Sequence, residues 1–187
     1  MAKFSPDLTE RTVSTRVLVR GKLLDVREDR VVLPDGSCAT REYIRHPGAV
    51  VVIALLGDGQ LVLERQWRHA LGRDLIELPA GKLDPGEEVL ACARRELAEE
   101  TGCVAGRWGE LATVHPCVGY SDERLVFFLA RDLRQEGARP DHGEHLEVFS
   151  ATLDQCLEWA REGAITDGKT LIGLFWAEKI LRGGWPG

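Results

Sequence analysis

The 187-residue sequence predicts an α+β protein with a mixed β-sheet. Strand-like segments come in pairs joined by short turns, whereas segments with helical periodicity fall between and after them. Neighbouring strands joined by a tight turn run antiparallel, and an intervening helix allows parallel pairing, so both kinds of pairing are expected. The length lies in the range where one domain buries a core without disulfides.

Runs of β-branched and aliphatic residues predict the strands. The six segments are Val13 to Val19, Leu23 to Leu33, Val50 to Leu56, Gln60 to Arg65, Leu125 to Ala130 and Leu146 to Phe149. The second ends at the turn-forming tripeptide Pro34-Asp35-Gly36. Between the third and fourth, the sequence Gly57-Asp58-Gly59 predicts a hairpin.

Three segments have the periodicity of amphipathic helices. They are Asp84 to Thr101, Leu153 to Glu162 and Lys169 to Arg182. In the first, Asp84 can cap the start, Pro85 suits the first turn and Glu87 can reach back as in a capping box. Gly102 is expected to end this helix, because glycine adopts the left-handed conformation without steric cost.

Composition excludes several classes of protein. The formal net charge of -6 argues against nucleic-acid binding, which depends on clustered lysine and arginine. The longest apolar run, Ala49 to Leu56, is far shorter than the roughly 20 residues of a membrane span. The N-terminus lacks the apolar core of a signal peptide, and the scattered cysteines favour reduced thiols. We therefore expect a soluble, cytoplasmic protein with no nucleic-acid or membrane partner.

The end of the first helix carries an unfavourable arrangement of charge. Glu96, Glu99 and Glu100 fall within an arc of about 100° at helical spacing, so like charges face each other. Two of them also lie where the helix dipole is already negative. A bound cation such as Mg²⁺, which prefers carboxylate oxygens, would reverse this repulsion. A solvated acidic face, partly neutralised by Arg95, is the alternative that spacing alone leaves open.

This region resembles the Nudix box, Gly-x5-Glu-x7-Arg-Glu-aliphatic-x-Glu-Glu-x-Gly-aliphatic. Gly81, Glu87 and the run from Arg95 to Gly102 match every defined polar position and both glycines. The single departure is Cys103 at the last aliphatic position, where cysteine serves as a small buried hydrophobe. The resemblance implies the Nudix fold, an α/β/α sandwich with a mixed sheet, preceded here by an N-terminal β-region.

The resemblance to the Nudix family also implies a cofactor and its ligands. The cofactor is Mg²⁺, with Mn²⁺ as a possible substitute, held against a pyrophosphate. The implied ligands are the Ala80 backbone carbonyl, Glu96, Glu99 and Glu100. Glu87 and Arg95 are expected to brace the loop rather than touch substrate.

Segments outside the box resemble the ADP-ribose pyrophosphatase branch of the family. They are Leu33 to Gly36, Thr40 to Glu42, Arg45 to Val50, Arg65 to Arg68, Glu77 to Leu83, Pro116 to Glu123 and Asp167 to Ile172. This implies hydrolysis of ADP-ribose, or a similar nucleoside diphosphate sugar, to AMP and ribose 5-phosphate. Arg45, Arg65 and Glu123 are the expected substrate-binding residues. Some relatives carry two glycines after the downstream proline, whereas Cys117 and Val118 stand here.

A general base is expected on a late loop, as in the same branch. The polar stretch Arg131 to His145 contains Gly137, Pro140 and Gly143 and is predicted to be that loop. Glu144 aligns with the branch's catalytic glutamate, and Glu99 is a second catalytic candidate. A solvated loop glutamate is the alternative interpretation of Glu144.

The resemblance implies a homodimer formed through the N-terminal strands, since the segment Val13 to Val19 would otherwise leave a strand edge exposed. Residues 1–48 are accordingly predicted as an N-terminal region for dimerisation and substrate contacts, and residues 49–187 as the hydrolase domain. Two other functions stay open: a GDP-mannose or other nucleotide-sugar pyrophosphatase, and a Nudix-fold module that binds a nucleotide without hydrolysing it.

Overall fold

The computed structural model describes residues 7–137 and 145–185. Its strands are β1 (Arg11–Arg20), β2 (Asp25–Val32), β3 (Cys38–Arg45), β4 (Ala49–Ala54), β5 (Leu61–Arg68), β6 (Arg73–Glu77), β7 (Ala80–Lys82), β8 (Cys103–Val114), β9 (Leu125–Gln135) and β10 (Leu146–Ala151). Its α-helices are α1 (Val89–Thr101), α2 (Leu153–Glu162) and α3 (Gly168–Leu181). None of the helices in these residues is long and apolar enough to cross a bilayer.

The N-terminal strands form a compact unit of their own, Met1–His46 together with Cys117–Glu123. β1, β2 and β3 make an antiparallel sheet in that order. The predicted turn joins β2 to β3, where Gly36 takes a φ of 84° and donates to the Leu33 carbonyl. The segment Cys117–Glu123 joins this unit through β3, because the Ile44 amide donates to the Tyr120 carbonyl at 2.8 Å.

The second unit comprises Pro47–Pro116 and Arg124–Gly187 and carries two sheets. One has the order β7-β4-β9-β8, with β4 and β9 parallel and the other pairs antiparallel. The other, β10-β5-β6, is antiparallel throughout. The prediction of a mixed sheet is therefore confirmed.

Helices cover both faces of the mixed sheet, because successive residues of β4 point to opposite faces. Val51 and Ile53 belong to an apolar cluster with Leu174 of α3. Val50 and Val52 belong to a second cluster with buried residues of α1. This confirms the expected α/β/α layering. β4 lies in the central layer and is buried at every residue.

Two predictions about the start of this unit were wrong. The first helix begins at Val89, not Asp84, because Gly86 has a φ of 80° that a right-handed helix cannot include. Glu87 does reach back to the Asp84 amide at 3.0 Å, but it closes a turn before the helix. The hairpin predicted around Gly57-Asp58-Gly59 is only a turn, since β4 and β5 pair in different sheets.

Other strands were missed because their stability comes from pairing rather than from local composition. β3, β6, β7 and β8 were not predicted, and their sequences alternate too little to stand out. The predicted loop Arg131 to His145 begins later than expected, because β9 continues to Gln135 in register with Cys103 of β8. By contrast, α2 has the predicted bounds, with Thr152 capping it through the Gln155 amide.

Candidate active site

Helix α1 brings the box carboxylates to the edge of the mixed sheet. Leu97 is buried in the apolar cluster between the helix and the sheet. This packing fixes the rotation of the helix about its axis. Gly102 ends the helix with a φ of 70°, as predicted. Glu96 and Glu100 therefore occupy the last two turns, beside the segment that contains Ala80.

Arg95 connects the helix to the loop before it. Its Nε and Nη2 donate to the two carboxylate oxygens of Glu87 at 2.9 and 2.8 Å, and Nη2 also reaches the Lys82 carbonyl. Its Nη1 donates to Glu96 at 2.8 Å and to Glu99 at 3.1 Å. The side chain thus ties the loop to the helix, and it neutralises part of the charge on the crowded carboxylates.

The bidentate contact with Arg95 lowers the pKa of Glu87 to about 2, against the opposing effect of partial burial. A carboxyl whose pKa is lower in the folded state stabilises the protein above its unfolded pKa, and this contribution disappears as the pH falls toward the folded value. The window here runs from about pH 4.5 down to about pH 2.

Replacing Glu87 by glutamine is therefore expected to destabilise the protein at pH 7 by about 2 kcal/mol, the usual contribution of charged hydrogen bonds. The difference from wild type should shrink as the pH falls from 4.5 toward 2. Urea unfolding at several pH values in metal-free buffer measures it, with the exposed neighbour Glu88→Gln as control. A difference that stays constant across the window would rule out the ion pair as its source.

Gly81 leaves space for the carboxylate of Glu96. A Cβ on residue 81 would lie 1.9 Å from Cδ and 2.0 Å from Oε1 of Glu96, far inside van der Waals contact. The glycine is required here by this close approach. A side chain at position 81 would fill the place where the carboxylate lies.

Glu100 is held against the same strand. It is only 5% exposed, and its Oε2 accepts a hydrogen bond from the Ala80 amide at 3.1 Å. The carboxylates of Glu96 and Glu100 thus contact two consecutive residues of β7. Sequence reasoning identified these residues, and the tertiary structure brings them together.

The donor set fits a hard divalent cation. Glu96 and Glu100 place two carboxylates against the backbone of Ala80 and Gly81. Mg²⁺ prefers oxygen donors of this kind, with substrate phosphates and water completing its shell. In the described part of the chain, no three acidic, cysteine or histidine side chains already converge on one point. Arg95 donates to one oxygen of Glu96 and one of Glu99, so a cation that bound these oxygens would compete with the guanidinium.

Replacing Gly81 by alanine is expected to weaken Mn²⁺ binding about 10- to 100-fold, the usual cost of disturbing the support of a metal ligand. The physical cause is displacement of the Glu96 carboxylate by the new methyl group. Isothermal titration of the free protein with Mn²⁺ measures the effect. Gly109→Ala is the matched control, because a Cβ in that strand meets no atom within 4 Å. Equal Mn²⁺ affinity in the two variants would contradict the prediction.

Two expected substrate residues, Arg45 and Glu123, lie in the N-terminal unit. Arg45 is exposed at the end of β3. Glu123 lies 3.8 Å from the His46 ring, and its amide donates to the Ser121 hydroxyl. In the same unit, a cavity of about 330 Å³ is lined in part by Arg41, Tyr43 and Tyr120. The sequence offers Tyr43, Trp67 and Tyr120 as aromatic residues able to stack on a base, and the two tyrosines line this cavity.

Arg41, Arg45, Arg65 and Arg68 offer fork-shaped donors for phosphates, and three of them are engaged by carboxylates. Arg41 makes a bidentate contact with Glu10 at 2.6 and 2.9 Å, and Arg68 makes one with Glu77. The guanidinium of Arg65 lies 2.6 Å from Glu147 and 3.9 Å from Asp74. Arg65 and Glu147 are both more than half exposed, whereas the partner of Arg68, Glu77, is buried. Exchanging Glu147 for a phosphate therefore costs less free energy than separating Arg68 from Glu77.

Glu144, the expected general base, lies outside the described residues. The residues that precede that segment lie beside the box helix, since the Glu136 amide donates to the Gly102 carbonyl at 2.8 Å. Glu99 and Glu136 line a common cavity of about 340 Å³. Glu147 lies in β10, as the strand pattern indicated.

The sequence did not predict a buried cluster of charged side chains around Glu77. Glu77 is 1% exposed and accepts from Arg68, at 2.6 Å on each oxygen, and from Lys169. Burial by itself would raise the pKa of Glu77, but the hydrogen bonds from Arg68 and the charge of Lys169 lower it overall. The available signal was the run Asp74-Leu75-Ile76-Glu77-Leu78, in which a carboxylate occupies a position expected to be buried.

Comparison with known proteins agrees with this geometry. The NUDIX domain model matches residues 45–171, and the model of the nucleoside diphosphate sugar hydrolase N-terminal domain matches residues 10–44. The chain therefore belongs to the Nudix family and is a Nudix hydrolase. Its N-terminal region is that of the nucleoside diphosphate sugar hydrolases.

Its relatives include two ADP-ribose pyrophosphatases. The one from Bacillus subtilis is 36% identical over 89% of this chain and 91% of its own length. The one from Mycobacterium tuberculosis is 39% identical over 92% of this chain and 84% of its own length. A GDP-mannose pyrophosphatase from Salmonella arizonae is 34% identical, over 70% of this chain and 72% of its own.

Among solved structures, an ADP compounds hydrolase superposes with a TM-score of 0.85. It covers 96% of this chain and 98% of its own chain, at 23% sequence identity. The likeness confirms the fold class predicted from the box.

Proposed function

We propose that this enzyme hydrolyses the pyrophosphate bond of ADP-ribose in a reaction that depends on Mg²⁺ or Mn²⁺. The observation that carries the reaction type is the placement of Glu96 and Glu100 against Ala80 and Gly81, an all-oxygen site of the kind that binds a hard cation with phosphates. The two ADP-ribose pyrophosphatases, similar along nearly the whole chain, support the substrate.

In the proposed reaction a water oxygen adds to one phosphorus of the pyrophosphate and the bridging P–O bond breaks. The products are AMP and ribose 5-phosphate, and no covalent enzyme intermediate is needed. The Ala80 carbonyl, Glu96, Glu99 and Glu100 would hold a divalent cation, which would supply positive charge to the phosphate oxygens. Glu144 accepts the proton of the attacking water, with Glu99 as the other candidate. Arg45, Arg65 and Glu123 hold the substrate, Arg65 by exchanging Glu147 for a phosphate oxygen.

The decisive assay measures release of AMP from ADP-ribose with Mg²⁺ and with excess chelator. We expect AMP and ribose 5-phosphate in equal amounts, and only with the metal. No hydrolysis of ADP-ribose at millimolar Mg²⁺ would remove this substrate from consideration.

A nucleotide-sugar pyrophosphatase acting on GDP-mannose is the second candidate, favoured by the Salmonella relative. Comparing kcat/KM for ADP-ribose, GDP-mannose and other nucleoside diphosphate sugars separates the two, since specificity is the ratio of these constants. The third possibility, a module that binds nucleotide without hydrolysis, predicts binding with no turnover of any member of the panel. The complete set Arg95, Glu96, Glu99 and Glu100 argues against it.

A homodimer formed through the N-terminal strands is part of the same proposal. β1 is an edge strand, exposed along all ten residues, and it carries Val13, Val17 and Val19 at 48% to 53% exposure. Long exposed edge strands with apolar side chains favour pairing with another chain.

We expect a dimer mass by light scattering at micromolar concentration, and we expect Val17→Glu to shift it to monomer. Gly57→Glu, which adds the same charge at an exposed turn of the second unit where a Cβ meets no atom within 4 Å, would serve as a control for altered charge alone. A wild-type monomer that retains activity would contradict the proposal.

A further inference from the structure

A chain of buried hydrogen bonds joins the start of α3 to the segment before β7. Asp167 caps α3, its Oδ2 accepting from the Thr170 amide at 2.9 Å and from the Thr170 hydroxyl at 2.6 Å. The Thr170 oxygen in turn accepts from the Leu78 amide at 2.9 Å. Since an ionised carboxylate cannot donate, the hydroxyl proton must point to Asp167, which leaves the oxygen free to accept from Leu78. Thr170 is fully buried.

The three residues from Leu78 to Ala80 are each held by a different element. The Leu78 amide is held by α3, the Pro79 carbonyl accepts from the Val52 amide of β4 at 2.8 Å, and the Ala80 amide donates to Glu100 of α1. Proline has no amide hydrogen to add a fourth contact. Thr170 is thus the side chain through which α3 fixes the backbone just ahead of Ala80.

Two further contacts tie this segment to the same helix. A Cβ on Gly173, one turn after Thr170, would lie 2.3 Å from Cδ1 of Leu78, so the helix packs directly on that side chain. Lys169 contacts Glu77, which is also gripped by Arg68. The first turn of α3 therefore holds two consecutive residues, 77 and 78.

We propose that Thr170 is a positioning residue for the metal centre: through the Leu78 amide it fixes Ala80, whose amide donates to Glu100 and whose carbonyl is an expected metal ligand. This inference rests on the proposed function, in which that carbonyl and the Glu100 carboxylate bind the same divalent cation. The residue touches neither substrate nor metal, and it acts through two peptide units of backbone.

Replacing Thr170 by valine preserves its shape but removes the acceptor, so the Leu78 amide is left buried without its partner and the segment must shift. We expect the Kd of the free protein for Mn²⁺, measured by calorimetry or electron paramagnetic resonance, to rise about 10-fold. Thr170→Ser, which keeps the hydroxyl, should bind Mn²⁺ nearly as wild type does. In turnover, the metal concentration for half-maximal rate should rise, while kcat at saturating metal largely recovers.

Ile180→Val on the same helix is the control for lost stability alone, because this residue belongs to the apolar core far along α3. It should lower the melting temperature with no change in Mn²⁺ affinity. If Thr170→Val does not fold, Thr170→Ala also lacks the hydroxyl but places no methyl group against the Leu78 amide. Wild-type Mn²⁺ affinity in the folded variant that lacks the hydroxyl, or an equal loss in Ile180→Val, would overturn the inference.

The titration with Mn²⁺ needs no nucleotide, so it is independent of the substrate. A protein that binds Mn²⁺ and shows the Thr170 effect, yet leaves ADP-ribose intact, would support this inference and refute the proposed substrate. Hydrolysis of ADP-ribose together with unchanged Mn²⁺ affinity in Thr170→Val would support the proposed substrate and refute this inference.

Discussion

Replacing Glu100 by glutamine is expected to lower kcat by about 10²-fold or more, since charge stabilisation by a metal ion contributes several kcal/mol. The variant removes the carboxylate charge nearest the Ala80 backbone, where we place the cation. The amide oxygen of glutamine can still accept from the Ala80 amide, so the fold should persist. Without divalent metal, its melting temperature should equal or slightly exceed that of wild type, because a repulsive charge at the end of the helix has gone.

Steady-state turnover and thermal unfolding, each with and without Mn²⁺, test both halves of this prediction. Glu162→Gln is the matched control, because Glu162 is also the last carboxylate of a helix but is exposed and far along the chain from the box. It should retain full activity. Wild-type turnover in Glu100→Gln would refute the metal assignment and with it the proposed mechanism.

Replacing Glu144 by glutamine is expected to cut kcat by about 10²-fold, the typical contribution of a general base. The affinity for Mn²⁺ should not change, since Glu144 is proposed to take the proton from water and not to bind the cation. This combination distinguishes the base from the metal ligands, whose loss lowers both quantities. The acidic limb of the pH profile of kcat should also disappear if Glu144 is the group whose ionisation controls it.

Glu136→Gln is the control, because Glu136 also lies in the sequence between β9 and β10. It lines a cavity together with Glu99. It should have a smaller effect on kcat than Glu144→Gln. If Glu144→Gln turns over at the wild-type rate at neutral pH, the role of base passes to Glu99, Glu147 or the metal ion.

The arginines show how far a sequence alone can predict a binding site. Arg41, Arg65 and Arg68 are equivalent in the sequence, as fork-shaped donors in an acidic chain. In the structure Arg41 and Arg68 are each held in a bidentate contact with a carboxylate, and only Arg65 has a weakly held partner. The partner of Arg41 lies 31 residues away along the chain, a separation that no local pattern indicates.

Local sequence by itself determined the features whose physics is local. Gly102 ends α1 and Gly36 turns β2 into β3 because glycine alone adopts positive φ without steric cost, and Thr152 caps α2 with its own hydroxyl. The spacing of the box likewise identified the carboxylates on one side of α1. These features depend on residues within a few positions of each other.

The tertiary structure decided what depends on distant partners. β7 and β8 are strands because β4 and β9 pair with them, and the Gly57-Asp58-Gly59 turn joins two sheets because its flanking strands find better partners elsewhere. The same holds for the candidate site. Gly81 and Glu96 are in contact only because α1 packs on β7, and the Leu78 amide meets Thr170 across 92 residues of chain. Long-range contacts of this kind form because two apolar clusters are buried. The members of these clusters are far apart in the chain, so their spacing in the sequence does not predict which residues meet.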